Sequence, residues 1–208
     1  MSGNPAAVTL EIVDFEDPRA ARLRDLLTDE LLARYATEDE PHLSEAAQKA
    51  LSVPPQDFIA NVLVLNTVGE AIGHGALRRL NGEWEVKRVI TDPAARGMGA
   101  ATVLMAELER IAAGAGARRV ILQTGGKQPE AEAFYRKLGY RQIPTYPPYD
   151  YAIPSSICFA KELQPYGGRP AVTGHRRGTD HDVARSHTGS PAEGAAKDDG
   201  SGLRPFRD

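Results

Sequence analysis

The spacing of apolar and polar positions predicts strands and helices that follow one another along most of the chain. Short runs rich in β-branched residues predict strands, and apolar residues three and four apart predict helices. The predicted strands are Val8–Phe15, Phe58–Asn66, Ala71–Leu80, Trp84–Thr91, Arg118–Thr124 and Ser155–Leu163, and a further strand opens at Tyr140. The predicted helices start at Asp17-Pro18 and cover Leu43–Leu51, Ala101–Gly114 and Glu130–Leu138.

Connections between these elements predict the type of sheet. Asn81-Gly82 is a strong hairpin signal, because both turn positions favour a positive φ, and it pairs Ala71–Leu80 with Trp84–Thr91. Three consecutive antiparallel strands followed by a helix indicate a meander. The strand Arg118–Thr124 follows the long helix by a crossover and should run parallel to its neighbour.

The turn that opens the long helix is a candidate anion site. It reads Arg96-Gly97-Met98-Gly99-Ala100-Ala101-Thr102, and the first amides of a helix have no partners within the helix. Glycines there let a diphosphate ester approach the backbone, although an ordinary helix start with two small residues explains the same letters. A Walker loop is excluded because Gly99 is followed by Ala100-Ala101. A dinucleotide fingerprint is excluded because Thr102 replaces its third glycine.

Composition limits the functional classes. The chain has 208 residues, a hydrophobic content of 41% and a net charge of −3. We therefore expect one soluble domain with no attraction to nucleic acid or membrane, in the cytoplasm, since Cys158 is the only cysteine and no secretory signal is visible. The domain should span residues 1–163. Residues 164–208 contain 8 Gly and 4 Pro with few large apolar residues, and are expected to be a disordered tail.

Two motifs together resemble a known family. Arg96-x-x-Gly99-x-Ala101, after a strand that ends Thr-Asp-Pro, is similar to the pyrophosphate loop of the GNAT superfamily of N-acetyltransferases. The segment Gln128–Tyr140 is similar to that family's second signature, with Gln128 where many members have Asn. The resemblance covers about residues 8–163. It implies an α+β fold: a mostly antiparallel sheet of six to seven strands, helices on both faces in three layers, and one parallel crossover.

The resemblance also implies acetyl-CoA as co-substrate, with no metal. Its pyrophosphate would bind the amides of Arg96–Thr102, and its pantetheine arm would lie along the fourth strand near Val89 and Ile90. Gln128 would contribute a further contact. In such folds the fourth strand and the strand Arg118–Thr124 separate and leave a slot for the arm. Each of these assignments is carried over from the resemblance, and the cofactor-binding set is Val89, Ile90, Arg96, Gly97, Met98, Gly99, Ala100, Ala101, Thr102 and Gln128.

Acetyl transfer to an amine needs a base and an acid. Glu85 is the candidate base, through a water, because carboxylates on this strand do so in relatives; an ion pair with Lys87 or Arg88 is the alternative. His74 is the second candidate base, against a structural histidine. Tyr135 matches the signature's tyrosine and is the candidate acid, against core packing. Cys158 is expected to be an inert buried thiol.

The acceptor is the least constrained part of the prediction. Arg88 and Arg141, with Tyr146, Tyr149 and Tyr151, could line a pocket for a small amine that carries a carboxylate, such as an amino acid. Glu38, Asp39, Glu40 and His42 are further candidates in an acidic loop. The alternatives are a protein lysine or N-terminus as acceptor and a non-catalytic acetyl-CoA sensor. A small-molecule partner is expected, and a homodimer is left open.

Overall fold

The fold is a seven-stranded sheet with helices on both faces, as a computed structural model shows for residues 8–36 and 43–165. The strand order is β1-β2-β3-β4-β5-β7-β6. The strands are β1 (Thr9–Val13), β2 (Phe58–Leu65), β3 (Ala71–Leu80), β4 (Glu83–Thr91), β5 (Arg119–Gly125), β6 (Arg141–Ile143) and β7 (Ser156–Glu162). All neighbouring pairs are antiparallel except β4 with β5. The predicted α+β class, its meander and its single parallel crossover are confirmed.

Five helices cover the two faces of this sheet in the described part of the chain. They are α1 (Pro18–Tyr35), α2 (Glu45–Leu51), α3 (Ala100–Gly114), α4 (Pro129–Lys137) and α5 (Tyr149–Ala152). The apolar side of α3 packs on the sheet through Leu104 and Leu108, together with residues of α4. On the opposite face, α1 packs through Ala20 and Leu23. Both faces thus bury apolar surface, which is the main driving force for the fold.

Two local features of β4 shape the middle of the sheet. The turn before it has Asn81 at φ 51° and Gly82 at φ 86°, as the hairpin signal predicted. Near its end, a bulge places Arg88 at φ 57°, between the pairs His74↔Ile90 and Ala76↔Lys87. A bulge bends the strand and changes the direction of its side chains.

The parallel pair β4–β5 is short, and the two strands then separate. Its paired residues are Trp84↔Val120, Glu85↔Ile121 and Val86↔Leu122, whereas β4 continues to Thr91 and β5 to Gly125. Beyond Leu122, β5 pairs only with β7 on its other side in the described sheet. A slot therefore opens in the sheet after Val86.

The structure differs from the sequence prediction mainly in one loop. No element is predicted between the strand that opens at Tyr140 and the strand Ser155–Leu163, but residues 144–154 contain the short helix α5, whose Tyr149 and Ala152 are buried against Ala50 and Cys158. The proline-rich sequence gives no local signal for this helix, because tertiary packing stabilises it. The acidic-loop candidates Glu38, Asp39, Glu40 and His42 lie outside the described residues, as does nearly all of the expected tail.

Candidate active site

The turn before α3 presents free backbone amides. Gly97 and Gly99 have φ values of 82° and 85°, which glycine adopts without strain, and a Cβ at either would meet nothing within 4 Å. Gly99 is the N-cap of α3 and supplies no side-chain cap. Among the described residues, the amides of Gly97, Gly99, Ala100 and Ala101 have no hydrogen-bond acceptor. The turn is therefore open to an anion from solvent, with the positive end of the helix behind it.

Arg96 braces this turn against α1. Its Nη2 lies 2.6 Å from Glu30 Oε2. This ion pair ties the loop before α3 to α1. Met98, in the same turn, is exposed.

A cavity of about 190 Å³ lies in the slot between β4 and β5. The two strands contribute its floor through Val86, Lys87, Arg88, Val89, Gln123, Thr124 and Gly125. Helix α4 adds Gln128, Ala131 and Tyr135, and the opposite wall comes mainly from α1 and α2 through Leu27, Thr28, Leu31, Tyr35, Leu43, Ala47 and Leu51, with Ile153. The lining is largely apolar with a few polar groups, as is usual for small-molecule sites.

Tyr135 has its hydroxyl free for a ligand. The ring is 7% exposed and packs against Phe134, Tyr140 and Phe159. Within the described residues the hydroxyl has no hydrogen-bond partner, and the side chain belongs to the cavity lining. Burial raises its pKa above the ordinary value, so the phenol stays protonated and can donate a hydrogen bond.

Lys87 is a lining residue that the sequence analysis did not propose. Its side chain is buried, and its Nζ lies 2.9 Å from the Tyr149 hydroxyl. It shows no ion pair in the described part of the chain. Its position two residues after Glu85 on one strand was the available signal, because residues i and i+2 share a face.

Glu85 lies one layer behind the cavity. The carboxylate is fully buried and makes a salt bridge with Arg78, not with Lys87 or Arg88 as the alternative interpretation held. It also accepts hydrogen bonds from the hydroxyls of Tyr146 at 3.0 Å and Tyr149 at 2.9 Å. Glu85 is not part of the lining, and its role as base stays a prediction.

The proposed acceptor contacts fall into two groups. Tyr146 and Tyr149 point their hydroxyls at Glu85 and do not line the cavity. Arg88 does line it, and its Nε is buried without a partner in the structure described. Burial, with Arg24 and Arg78 nearby, lowers the Arg88 pKa. An anion in the cavity would find in Arg88 a guanidinium that forms no ion pair within the described residues.

The two predicted cofactor-binding residues on β4 have side chains in different surroundings. Val89 lines the cavity, whereas Ile90 is buried against Ala20 and Leu23 of α1. Both residues follow Val86, the last residue of β4 that pairs with β5, so the backbone edge of β4 on that side is open here. Backbone contact with a ligand requires only this edge and does not depend on where the side chains point.

Gln128 holds the loop between β5 and α4. Its Oε1 accepts hydrogen bonds from Gly125 N at 3.0 Å and Thr124 Oγ1 at 3.1 Å. Tyr35 of α1 closes the same loop by accepting a hydrogen bond from Lys127 N at 2.9 Å. A Cβ at Gly125 would lie 1.9 Å from the Tyr35 hydroxyl, so a larger residue there would displace this hydroxyl.

The remaining candidates lie away from the cavity. His74 is fully buried, its Nδ1 is 3.3 Å from the Arg88 carbonyl, and its Nε2 has no partner among the described residues. Burial, aided by Arg24, lowers its pKa to about 4, so the ring is neutral. Cys158 is buried, and burial raises its thiol pKa. Arg141 and Tyr151 do not contribute to the lining either.

Two kinds of feature are absent from the described residues. In residues 8–36 and 43–165, no group of three or more His, Cys, Asp or Glu side chains is arranged to hold a metal ion. No helix in those ranges is both long and apolar enough to cross a bilayer.

Comparison with known proteins gives a family and a fold. The sequence profile of the family described as Acetyltransferase (GNAT) family matches residues 20–140. No curated protein sequence matches the chain. Among solved structures, one described as an acyl-CoA N-acyltransferase from Klebsiella pneumoniae is 26% identical, with a TM-score of 0.61 over 76% of this chain and 98% of that one.

Two more distant structures share the fold. PaiA N-acetyltransferase from Thermoplasma acidophilum, in complex with coenzyme A, is 15% identical with a TM-score of 0.57, over 76% of this chain and 99% of that one. N-acetylglutamate synthase from Neisseria gonorrhoeae, with coenzyme A and N-acetyl-glutamate, is 16% identical with a TM-score of 0.55, over 77% of this chain and 36% of that one.

Proposed function

Because the chain belongs to the acetyltransferase (GNAT) family, we propose that it moves an acetyl group from acetyl-CoA directly to the primary amine of a small metabolite such as an amino acid. The single observation that carries this proposal is the slot between β4 and β5. It joins an open strand edge, a cavity and the free hydroxyl of Tyr135.

The cofactor part of the proposal rests on the turn before α3. Free amides of Gly97, Gly99, Ala100 and Ala101 fit a pyrophosphate, and each hydrogen bond to a charged oxygen contributes about 1.5–3 kcal/mol. The edge of β4 beyond Val86 would pair with the amides of the pantetheine arm as a further strand would. Two structures of this fold were solved with coenzyme A, which supports the assignment.

The acceptor part rests on the charge and size of the cavity. Lys87 and Arg88 are the basic residues in the described lining, which contains no acidic residue. The buried Nε of Arg88 lacks a partner, and leaving such a group unsatisfied is costly. A carboxylate on the acceptor would pair with the Arg88 guanidinium. Walls from α1 and α2 and a volume of about 190 Å³ favour a small molecule over a protein chain.

Tyr135 is the proposed acid. Its hydroxyl lies in the lining and is protonated at neutral pH. A phenol with a raised pKa is a weak proton source for a thiolate but a good hydrogen-bond donor to the charge that develops on sulfur. We therefore assign it to stabilise the leaving thiolate, with the proton following.

A thiol-release assay tests the proposal. Acetyl-CoA is incubated with the full-length chain and a panel of amino acids, polyamines, aminoglycosides and peptides with free N-termini or lysines. We expect release that depends on an amino acid and gives an N-acetyl product by mass spectrometry. Faster release with the peptides would indicate that the acceptor is a protein and not a small molecule. The absence of turnover with any amine would contradict the proposed function.

A further inference from the structure

We propose that the ε-amino group of Lys87 is the base that takes the proton from the acceptor nitrogen during acetyl transfer. The inference rests on the proposed function and names a residue for it that the two sequence motifs do not contain. It places Lys87 against the acceptor and gives Glu85 a positioning role behind it.

Lys87 lies at the start of the slot between β4 and β5. Lys87 follows Val86, the last residue of β4 that pairs with β5, so it stands where the slot begins. The residue is 7% exposed and belongs to the lining of the same cavity as Tyr135. Glu85 is fully buried and lies outside the lining. Of these two candidate bases, only Lys87 has access to a molecule in the cavity.

The hydrogen bonds of the Tyr149 hydroxyl determine which way Lys87 donates. The Tyr149 hydroxyl has one proton, which it donates to Glu85 Oε1 at 2.9 Å. Its oxygen accepts from Arg78 Nη2 at 3.1 Å and from Lys87 Nζ at 2.9 Å. Lys87 therefore donates one N–H to Tyr149. A neutral amine that does so keeps a lone pair outside the network, free to accept a proton from the cavity.

A positive charge on Lys87 is unfavourable because the side chain is buried. Lys87 forms no ion pair within the described residues, and its polar partner there is the Tyr149 hydroxyl. Burial is the largest cause that lowers its pKa, to about 8. The charged groups around it are Arg78 on β3, Arg88 and Glu85 on β4, and the Cys158 thiol on β7; the arginines lower the pKa, and Glu85 and Cys158 raise it. A lysine with a pKa of 7–8 suits general base catalysis near neutral pH.

Each proton moved in the transfer has a donor and an acceptor. The neutral acceptor amine attacks the thioester carbonyl, and its nitrogen becomes positively charged as the N–C bond forms. Lys87 takes one proton from that nitrogen. The C–S bond then breaks, and the thiolate leaves with a hydrogen bond, and then a proton, from Tyr135. After the products leave, Lys87 returns its proton to solvent and Tyr135 takes one up.

Three variants test the proposal with the acceptor found in the thiol-release screen. Lys87→Met removes the amine, Lys87→Arg keeps a charge that does not dissociate, and Lys87→His offers a base of lower pKa. We expect turnover to fall about 10²–10⁴-fold in the Met and Arg variants. In the wild type, turnover should rise with pH through a limb near pH 8, and this limb should be absent from both.

The His variant and two controls separate catalysis from structure. Lys87→His should retain part of the turnover, with its limb moved to lower pH, which a structural role would not produce. Acetyl-CoA affinity by calorimetry should stay within about threefold in every variant. Lys161→Met, on β7 and paired with Glu109, should keep both turnover and limb. If Lys87→Met does not fold, the Arg and His variants decide.

Several outcomes would overturn the proposal. Turnover of Lys87→Arg or Lys87→Met within tenfold of wild type, or an unchanged limb, would remove Lys87 as the base while leaving the acetyltransferase function intact. An acetyl group found on Lys87 by mass spectrometry after incubation with acetyl-CoA would make it an acceptor instead. A wild type without amine-dependent turnover would overturn the proposed function and this inference together.

Discussion

Arg78 and Glu85 lie directly opposite each other on β3 and β4, and Arg78 Nε is 2.5 Å from Glu85 Oε2. Both side chains are almost completely buried. Tyr149 contacts both, so the pair anchors the short helix α5 to the sheet. The pair also fixes the hydroxyl that faces Lys87. It is therefore a structural support for the cavity as well as an ion pair.

Removing one charge of this pair should destabilise the domain. Glu85→Gln leaves the Arg78 guanidinium buried without a counter-ion, and breaking a buried pair in this way costs about 3–5 kcal/mol. The free energy of unfolding in urea measures the loss. Glu83→Gln is the matched control, because Glu83 pairs with Arg119 at the surface and should cost at most about 1 kcal/mol. Equal losses in both variants would contradict the supporting role.

The free amides before α3 predict a charge-specific effect on acetyl-CoA binding. Gly99→Asp places a carboxylate beside the bound phosphates, and we expect an affinity at least about tenfold lower than in Gly99→Asn by calorimetry. The Asn variant is the control, because it has the same size and also meets the φ of 85° at this position. Equal affinities would show that no anion binds at the turn.

Tyr135→Phe removes only a hydroxyl. We expect turnover to fall tenfold or more with little change in acetyl-CoA affinity, since the contact forms with the leaving sulfur. Steady-state kinetics and calorimetry measure the two effects. Tyr140→Phe serves as control, because its hydroxyl contacts Glu109 at 3.0 Å and does not line the cavity. Unchanged turnover of Tyr135→Phe would exclude it as the acid.

Arg88 should discriminate among acceptors by charge. A hydrogen bond to a charged partner contributes about 1.5–3 kcal/mol, so Arg88→Gln should raise the KM for an amino acid about tenfold or more. The KM for the corresponding amino-acid amide should change little. Arg88→Lys keeps the charge and should fall between wild type and Arg88→Gln. A parallel rise for acid and amide would show that Arg88 acts on packing and not on the carboxylate.

His74 predicts how stability depends on pH. Its pKa in the folded chain is about 4 against an ordinary value of 6.5, so the unfolded chain binds more protons between these values. The contribution is complete above pH 6.5 and is lost as the pH falls towards 4, at up to about 1.4 kcal/mol per pH unit. Urea unfolding of wild type and His74→Gln from pH 7 to 4 should show a shallower slope for the variant. Identical slopes would mean that His74 is protonated in the fold.

Local signals were sufficient for most of the architecture. Asn81-Gly82 fixed the β3–β4 register, and Asp17-Pro18 marked a helix start that the structure confirms. The register also contained the Arg78–Glu85 pair, because a two-residue turn places Leu80 opposite Glu83 and so Arg78 opposite Glu85. Counting along the hairpin thus pairs Glu85 with Arg78, and not with Lys87 or Arg88, the ion pair that was the alternative to its predicted role as base.

The rest of the site depends on elements that are distant in sequence. Tyr35 of α1 meets Lys127 and Gly125 only after the sheet has formed, and Tyr149 reaches Lys87 only because α5 packs beneath it. No periodicity along the chain encodes such contacts. The burial of Lys87, which underlies its proposed role, is likewise a property of the assembled cavity.

Three residue pairs of the ladder and the surface ion pair between Glu83 and Arg119 join β4 and β5 directly in the described residues. A coenzyme arm hydrogen-bonded along the open edge would add the rungs that the ladder lacks, and would tie β1–β4 to β5–β7. Occupancy should therefore raise the melting temperature with coenzyme concentration and slow amide exchange along Lys87–Thr91. The stability of the connection between these two halves of the sheet would then depend in part on the bound coenzyme.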